Sequence, residues 1–150
     1  MVTVRQARPD DASTWLAMRE ALWPDAIEGE HREEIDRYFR GVFPRGPWAA
    51  LMAEGRDARL LGFAEVSIRP FAEGCQSSRV AYLEGWYVVP EARQQGAGRA
   101  LVEASASWGR AQGCTEFASD ADPDNHVSAA AHRALGFADV GLVRCFRKDL

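Results

Sequence analysis

The segment Arg93-Gln94-Gln95-Gly96-Ala97-Gly98-Arg99 constrains the fold more than any other. It links an aromatic and β-branched run, Val80 to Val89, to a stretch of helical periodicity from Gly98 to Gln112. Pro90 ends the strand and Gly113 stops the helix. Leu101, Ala104, Ser105, Trp108 and Ala111 fall on one helical face, and Thr115 to Ser119 follows as a short strand. This is a βαβ crossover. Two glycines let the backbone turn tightly and aim successive N–H groups into one concavity, to which the helix N-terminus adds its positive end. Such a nest suits an anion of the pyrophosphate kind. The same glycines also serve a plain strand-to-helix turn, and spacing alone leaves both readings open. A dinucleotide fingerprint is excluded, because Leu101 stands where its small third residue belongs, and no Gly-Lys-Ser/Thr is present for a P-loop.

The remaining elements fit around this unit. Val2 to Ala7 alternates as a strand. Pro9-Asp10-Asp11 starts a helix whose stripe of Trp15, Leu16, Met18, Arg19 and Leu22 stops before Pro24. A second helix is expected from about Gly29 to Arg40 within an acidic stretch, Asp25 to Asp36, with Ile35, Tyr38 and Phe39 as its apolar contacts. Trp48–Ala53 and Leu60–Ile68 flank a Gly55-Arg56-Asp57 turn as an antiparallel hairpin. Pro70 to Ser78 is a loop, a helix starts at Asp124-Asn125 and ends at Leu135-Gly136, and Ala138 to Lys148 reads as a last strand. The order β-α-α-β-β-β-α-β-α-β predicts an α/β fold, a mixed sheet flanked by helices. No linker or repeat interrupts it, so 1–150 is expected to be one domain.

Composition removes several function classes. A net charge of -4 argues against nucleic acid as a partner, because that affinity needs clustered Lys and Arg. The longest apolar run, Trp48 to Ala53, is six residues, far from the ~20 that span a bilayer. Asp10 and Asp11 interrupt any secretory h-region. Cys75, Cys114 and Cys145 are odd in number and form no CxxC pair, so neither disulfides nor a zinc site is expected, and a reducing cytoplasm is the default. Cys114 and Cys145 read as core, and His132 as structural.

The Arg-x-x-Gly-x-Gly segment after a strand, opening a helix, resembles the acyl-CoA motif of the GNAT acetyltransferase superfamily. Leu83-Glu84-Gly85-Trp86-Tyr87-Val88-Val89-Pro90, Gly113-Cys114-Thr115-Glu116, Ala118-Ser119-Asp120, Asn125, Ser128, His132, Leu135-Gly136-Phe137 and Phe146-Arg147-Lys148 extend the match. With Leu22-Trp23-Pro24 and Gly74-Cys75-Gln76-Ser77-Ser78, they look like the aminoglycoside 6'-N-acetyltransferases. The resemblance implies a GNAT fold, a mostly antiparallel twisted sheet with a splayed central strand pair. It implies acetyl-CoA as co-substrate, a cationic amine such as an aminoglycoside as acceptor, and a homodimer; no metal is expected, because no His, Cys or carboxylate cluster has ligand spacing. Trp86, Tyr87 and Val88 would pair with the pantetheine arm, with Val88 N–H as oxyanion donor. Arg93, Gln94, Gln95, Gly96, Ala97, Gly98 and Arg99 would hold the pyrophosphate. Asn125 matches a polar contact to the pantetheine end, and helix N-capping is its other reading.

On the amine side the resemblance implies Trp23, Phe71, Glu84 and Asp120. Aminoglycosides are polycations, so anions must meet them. An ammonium has no lone pair, and a carboxylate that holds it raises its pKa, so the same group or a water must take its proton. Without the family, Glu84 is an outward strand residue, Asp120 a turn former and Trp23 a core residue. Several family features are changed here. No tyrosine follows Tyr87 to protonate the leaving thiolate, and Cys145 and Phe146 stand in the last strand instead. Ala26 replaces a histidine, Phe71 lacks a tyrosine hydroxyl, and Gly141 replaces an acid, for which Asp139 or the Asp25-to-Asp36 cluster offers a substitute. Two other readings remain: a GNAT enzyme for another amine (a polyamine, an amino sugar or a protein amine), and a non-catalytic acyl-CoA-binding module.

Overall fold

The apolar runs sort onto the two faces of one sheet. The computed structural model describes residues 1–150, which divide into two compact units, Met1–Ser119 and Asp120–Leu150. In the first unit five strands lie in chain order: β1 (Thr3–Gln6), β2 (Trp48–Glu54), β3 (Leu60–Arg69), β4 (Val80–Val88) and β5 (Glu116–Ser119). The first four pair antiparallel, and β5 joins β4 in parallel. That parallel pair is the one joined by a helix, α3 (Ala97–Ala111), because parallel neighbours need a crossover.

Period-2 alternation gives each strand two faces. Ala50, Met52 and Phe63 point to one side, where they join Trp15 and Met18 of α1 (Ala12–Leu22) and Ile35 of α2 (Glu30–Phe39) in a common core. Trp15 is fully buried, with Tyr38 and Phe39 edge-on to it at 5.4 and 5.9 Å, which anchors the otherwise acidic α2. The intervening residues Ala49, Leu51, Ala53, Ala64, Val66 and Ala81 are buried on the other side, under α3. The helix sits close there. A Cβ on Gly109 would lie 2.6 Å from Ala81 Cβ, and Leu101 reaches Gly62. The buried stripe of α3 is Ala97, Leu101, Val102, Ser105 and Gly109. The expected stripe is therefore rotated slightly: Trp108 is half-buried and Ala111 exposed.

The expected boundaries hold within a residue or two for the helices and for β1 to β5. Asp11 does more than meet a helix dipole. It accepts two bonds from Arg5 (2.7 and 3.0 Å) and one from the Arg8 N–H (2.7 Å), which holds its carboxyl below the usual range.

In the second unit α4 (His126–Ala134) is capped by Asn125, whose Oδ1 accepts from the Ser128 N–H at 3.0 Å. His132 donates from Nδ1 to the Ser128 carbonyl (2.7 Å) and meets Phe137 edge-on, a structural role as read. The predicted last strand over Ala138–Lys148 is not formed, and Val140, Leu142, Val143 and Phe146 are exposed. Alternation supplies a strand's side chains but not its ladder, and Gly141 (φ 122°) breaks the extended run. Cys145 is accordingly exposed rather than in a core, whereas Cys114 is buried as expected.

The tight α3–β3–β4 packing is testable at Gly62, where a Cβ would overlap the Tyr87 carbonyl oxygen and approach Val88 Cα to 3.1 Å. Gly62→Ala should cost about 1–3 kcal/mol of stability in urea denaturation. A midpoint equal to wild type would show that β3 and β4 yield more than this packing allows.

Candidate functional site

The site is built on an irregularity in β4. Val66 pairs with Leu83 and Glu65 with Gly85, so Glu84 is an extra residue on its strand. Such a β-bulge turns both of its residues toward one face and bends the strand. Glu84 accordingly meets the side chains that project beside it from β3. Its carboxylate accepts from Ser67 Oγ (2.5 Å) and from Arg69 Nε and Nη2 (2.8 and 2.6 Å). The Arg69 guanidinium lies 3.6 Å over the Tyr82 ring. Gly85 leaves room for Trp23, since a Cβ there would lie 2.5 Å from the indole Cη2. The structure thus brings Trp23 and Glu84 to one patch, and adds Ser67 and Arg69, which sequence reasoning missed. A cation facing Glu84 at period 2 on a neighbouring strand was the available signal.

Below the bulge, β4 has one strand partner. Its ladder with β5 covers Val80–Leu83 against Glu116–Ser119 and goes no further. Val89 N–H donates to the Leu61 carbonyl at 2.9 Å, which fixes the alternation of the antiparallel ladder. Trp86 and Val88 therefore turn their backbone N–H and C=O groups away from β3. The Val88 carbonyl accepts from Arg93 Nε (2.9 Å), whose guanidinium lies 5.7 Å from the Tyr87 ring. The Trp86 indole donates to the Gly98 carbonyl (3.2 Å), and a Cβ on Gly98 would sit 3.2 Å from that indole. Gly98 is thus needed for close packing, while Gly96 is needed for its conformation, at φ 92° with open space where a Cβ would go. Gln94 also takes a left-handed φ of 60°. Ala100 N–H closes the first turn of α3 onto the Gly96 carbonyl (3.0 Å), so the N–H groups of Ala97, Gly98 and Arg99 lack helical acceptors. A strand edge turned away from β3 beside a helix N-terminus fits an extended amide-bearing arm ending in a pyrophosphate.

A buried charge network lies beside this patch. Arg19 pairs with Glu34 of α2 and lies 3.5 Å from Glu65 of β3, which accepts from Trp15 Nε1 at 3.0 Å. Burial pushes Glu65 up from an ordinary 4.5 to about 7, although Arg19 and the Trp15 N–H pull it down and Glu34 and Glu84 add to the rise. The folded protein holds this proton more tightly than the unfolded chain. The carboxyl's contribution to stability is therefore complete below about pH 4.5 and lost as pH rises through about 7. Glu65→Gln cannot ionise, so its stability relative to wild type should improve by about 1–3 kcal/mol between pH 5 and 8 in urea titrations. A gap that stays constant with pH contradicts this.

The other expected residues lie on other segments of the chain. Phe71 is exposed in the loop after β3, and Asp120 and Asn125 belong to the second unit. Asp139 is held by Arg133 (2.9 Å) and by the Gly141 N–H (3.0 Å). Burial and the neighbouring Glu116 raise the Cys75 thiol, which suits no nucleophile. No group of three or more His, Cys, Asp or Glu is arranged to hold a metal, and no helix is long and apolar enough to cross a membrane.

Comparison with known proteins agrees with this geometry. The family model described as Acetyltransferase (GNAT) family matches residues 15–137. The aminoglycoside N(6')-acetyltransferase type 1 of Klebsiella aerogenes is 54% identical over 147 residues, covering 98% of this chain and 96% of the relative. That of Serratia marcescens is 42% identical, covering 94% of each. The structure of AAC(6')-Iy in complex with the bisubstrate analog CoA-S-monomethyl-acetylneamine superposes with a TM-score of 0.91 at 34% identity, over 100% of this chain and 99% of that one. AAC(6')-Ih from Acinetobacter baumannii gives a TM-score of 0.87 at 35% identity, over 100% and 99%. The chain belongs to the acetyltransferase (GNAT) family, and its fold is the GNAT fold.

Proposed function

We propose that this chain transfers the acetyl group of acetyl-CoA to the 6'-amino group of an aminoglycoside, in a ternary complex, as a single N-acetyltransferase domain over residues 1–150. The bulged β4 carries the reading. It turns backbone groups away from β3 beside the α3 N-terminus and carries a carboxylate, Glu84, on the same strand. The full-length similarity to enzymes named for this activity supports the choice of amine.

In this reading Trp86, Tyr87 and Val88 receive the pantetheine arm, and Arg93 to Arg99 receive the pyrophosphate. Val88 N–H stabilises the negative charge that develops on the thioester oxygen. The neutral amine attacks the carbonyl carbon, a C–N bond forms and the C–S bond breaks. Glu84, already ion-paired with Arg69 and hydrogen-bonded by Ser67, is suited to position an ammonium by sharing its oxygens rather than to remove a proton. We therefore assign the proton to Asp120, directly or through water. The thiolate takes its proton from water, since Cys145 and Phe146 supply no phenol. Asn125 helps hold the pantetheine end in addition to capping α4. Trp23 and Phe71 flank the amino sugar. A cytoplasmic enzyme conferring aminoglycoside resistance follows from this activity. A homodimer fits the exposed apolar residues Val140, Leu142, Val143 and Phe146.

Thiol release from acetyl-CoA should require kanamycin or tobramycin, with spermidine far poorer. Turnover only with spermidine or a protein amine would overturn the choice of substrate. A charge-assisted hydrogen bond of roughly 1.5–3 kcal/mol predicts a ten- to hundredfold fall in kcat/KM for each carboxylate variant. Glu84→Gln should chiefly raise the aminoglycoside KM, and Asp120→Asn should chiefly lower kcat. The acetyl-CoA KM should barely move in either. Gly96→Val, which places a branched side chain at a left-handed φ, should weaken CoA binding by calorimetry while the protein remains folded.

A further inference from the structure

Arg19 is a nearly buried cation that the transfer chemistry does not use. Its side chain is 5% exposed, and two of its nitrogens, Nε and Nη1, have no hydrogen-bond partner. A buried guanidinium left partly unsatisfied is costly and adds little stability compared with an apolar side chain of similar size. What it does have is an aromatic face: its Cζ lies 5.1 Å from the Trp23 ring. The indole also stacks on His31 (6.0 Å, 25°), and His31 Nε2 donates to the Trp23 carbonyl at 3.1 Å. Phe63 meets the indole edge-on, and its far edge rests against Gly85 beside Glu84. Glu34 from α2 pairs with Nη2 of the guanidinium, and Glu65 from β3 lies 3.5 Å from Nη1.

We propose that Arg19 is a positioning residue for the acceptor amine. It acts through Trp23, with Glu34 and Glu65 fixing the guanidinium and the guanidinium fixing the indole plane against Gly85. The proposal rests on the amine-side reading given above, in which Trp23 flanks the substrate. A planar guanidinium suits this task because it lies over an aromatic face while its edge N–H groups face carboxylates, a combination that an ammonium does not offer. The acetyl-CoA groups lie lower on β4 and on α3, so the effect is confined to the amine.

The test compares Arg19→Met and Arg19→Lys with wild type, using kanamycin and acetyl-CoA. The kanamycin KM should rise roughly three- to thirtyfold in Arg19→Met, the span of a desolvated cation–π contact, and nearly as much in Arg19→Lys. The acetyl-CoA KM should stay within about twofold. A folded Arg19→Met protein with an unchanged kanamycin KM overturns the proposal, and so does an equal rise in both KM values. Should Arg19→Met fail to fold, Glu34→Gln, which removes the half-exposed end of the network, is read by the same split. A readout free of turnover separates this idea from the choice of substrate. Arg19→Met should alter the near-UV circular dichroism of the wild-type protein and leave that of a Trp23→Phe protein unaltered. An equal change in both backgrounds shows that Arg19 does not act through Trp23. If the wild-type protein ignores every aminoglycoside while that spectral dependence holds, the substrate assignment fails and the positioning of Trp23 stands.

Discussion

One extra residue in β4 organises the first unit. Because Glu84 and Gly85 together oppose Glu65, the strand bends there, and its ladder to β5 has already ended at Leu83. A bulge of this kind does two things at once that a regular strand cannot. It turns a carboxylate and a glycine toward the same face, and it bends the strand just past the end of its ladder with β5. The Trp23 indole takes the space that Gly85 leaves, and Ser67 and Arg69 fix Glu84.

The same strand has opposite characters on its two sides. Trp86 turns toward α3 and bonds the Gly98 carbonyl, while Tyr87 turns toward Phe63 under α1. The α3 side is apolar and closely packed, with Gly62 and Gly109 permitting contact between helix and sheet. It ends at a helix N-terminus whose N–H groups favour an anion. The α1 side carries the charges: Glu65, Glu84, Arg19 and Arg69. In this way a single strand separates the anionic co-substrate from the cationic acceptor we propose, while keeping both along its length.

The acidic stretch that the sequence offers as a polycation attractor is partly committed inside the fold. Glu34 pairs with Arg19, Glu33 with Arg37, and Glu30 accepts from the Ile27 N–H. Like Glu84 with Arg69, these carboxylates meet resident cations first. In the proposed reading an incoming amine therefore competes with existing ion pairs rather than meeting bare charge, and the geometry of sharing matters more than the count of acids.

By itself the sequence determined the elements whose signals are local. Glycine and proline bound β4 and α3, apolar periodicity marks α1 and α3, and Arg93 to Arg99 marks the glycine turn that opens α3. The family resemblance rests on those same residues. Tertiary structure decided whatever depends on a partner distant in the chain. The bulge at Glu84 exists only through its register with β3, and the role of Glu84 depends on Arg69 fifteen residues earlier. Arg19 falls in the helical stripe of α1 by sequence, but only packing against Trp23, Glu34 and Glu65 shows what a cation there meets. The alternation of Ala138 to Lys148 has the pattern of a strand but no ladder, because a strand is a pairing and not a property of one segment.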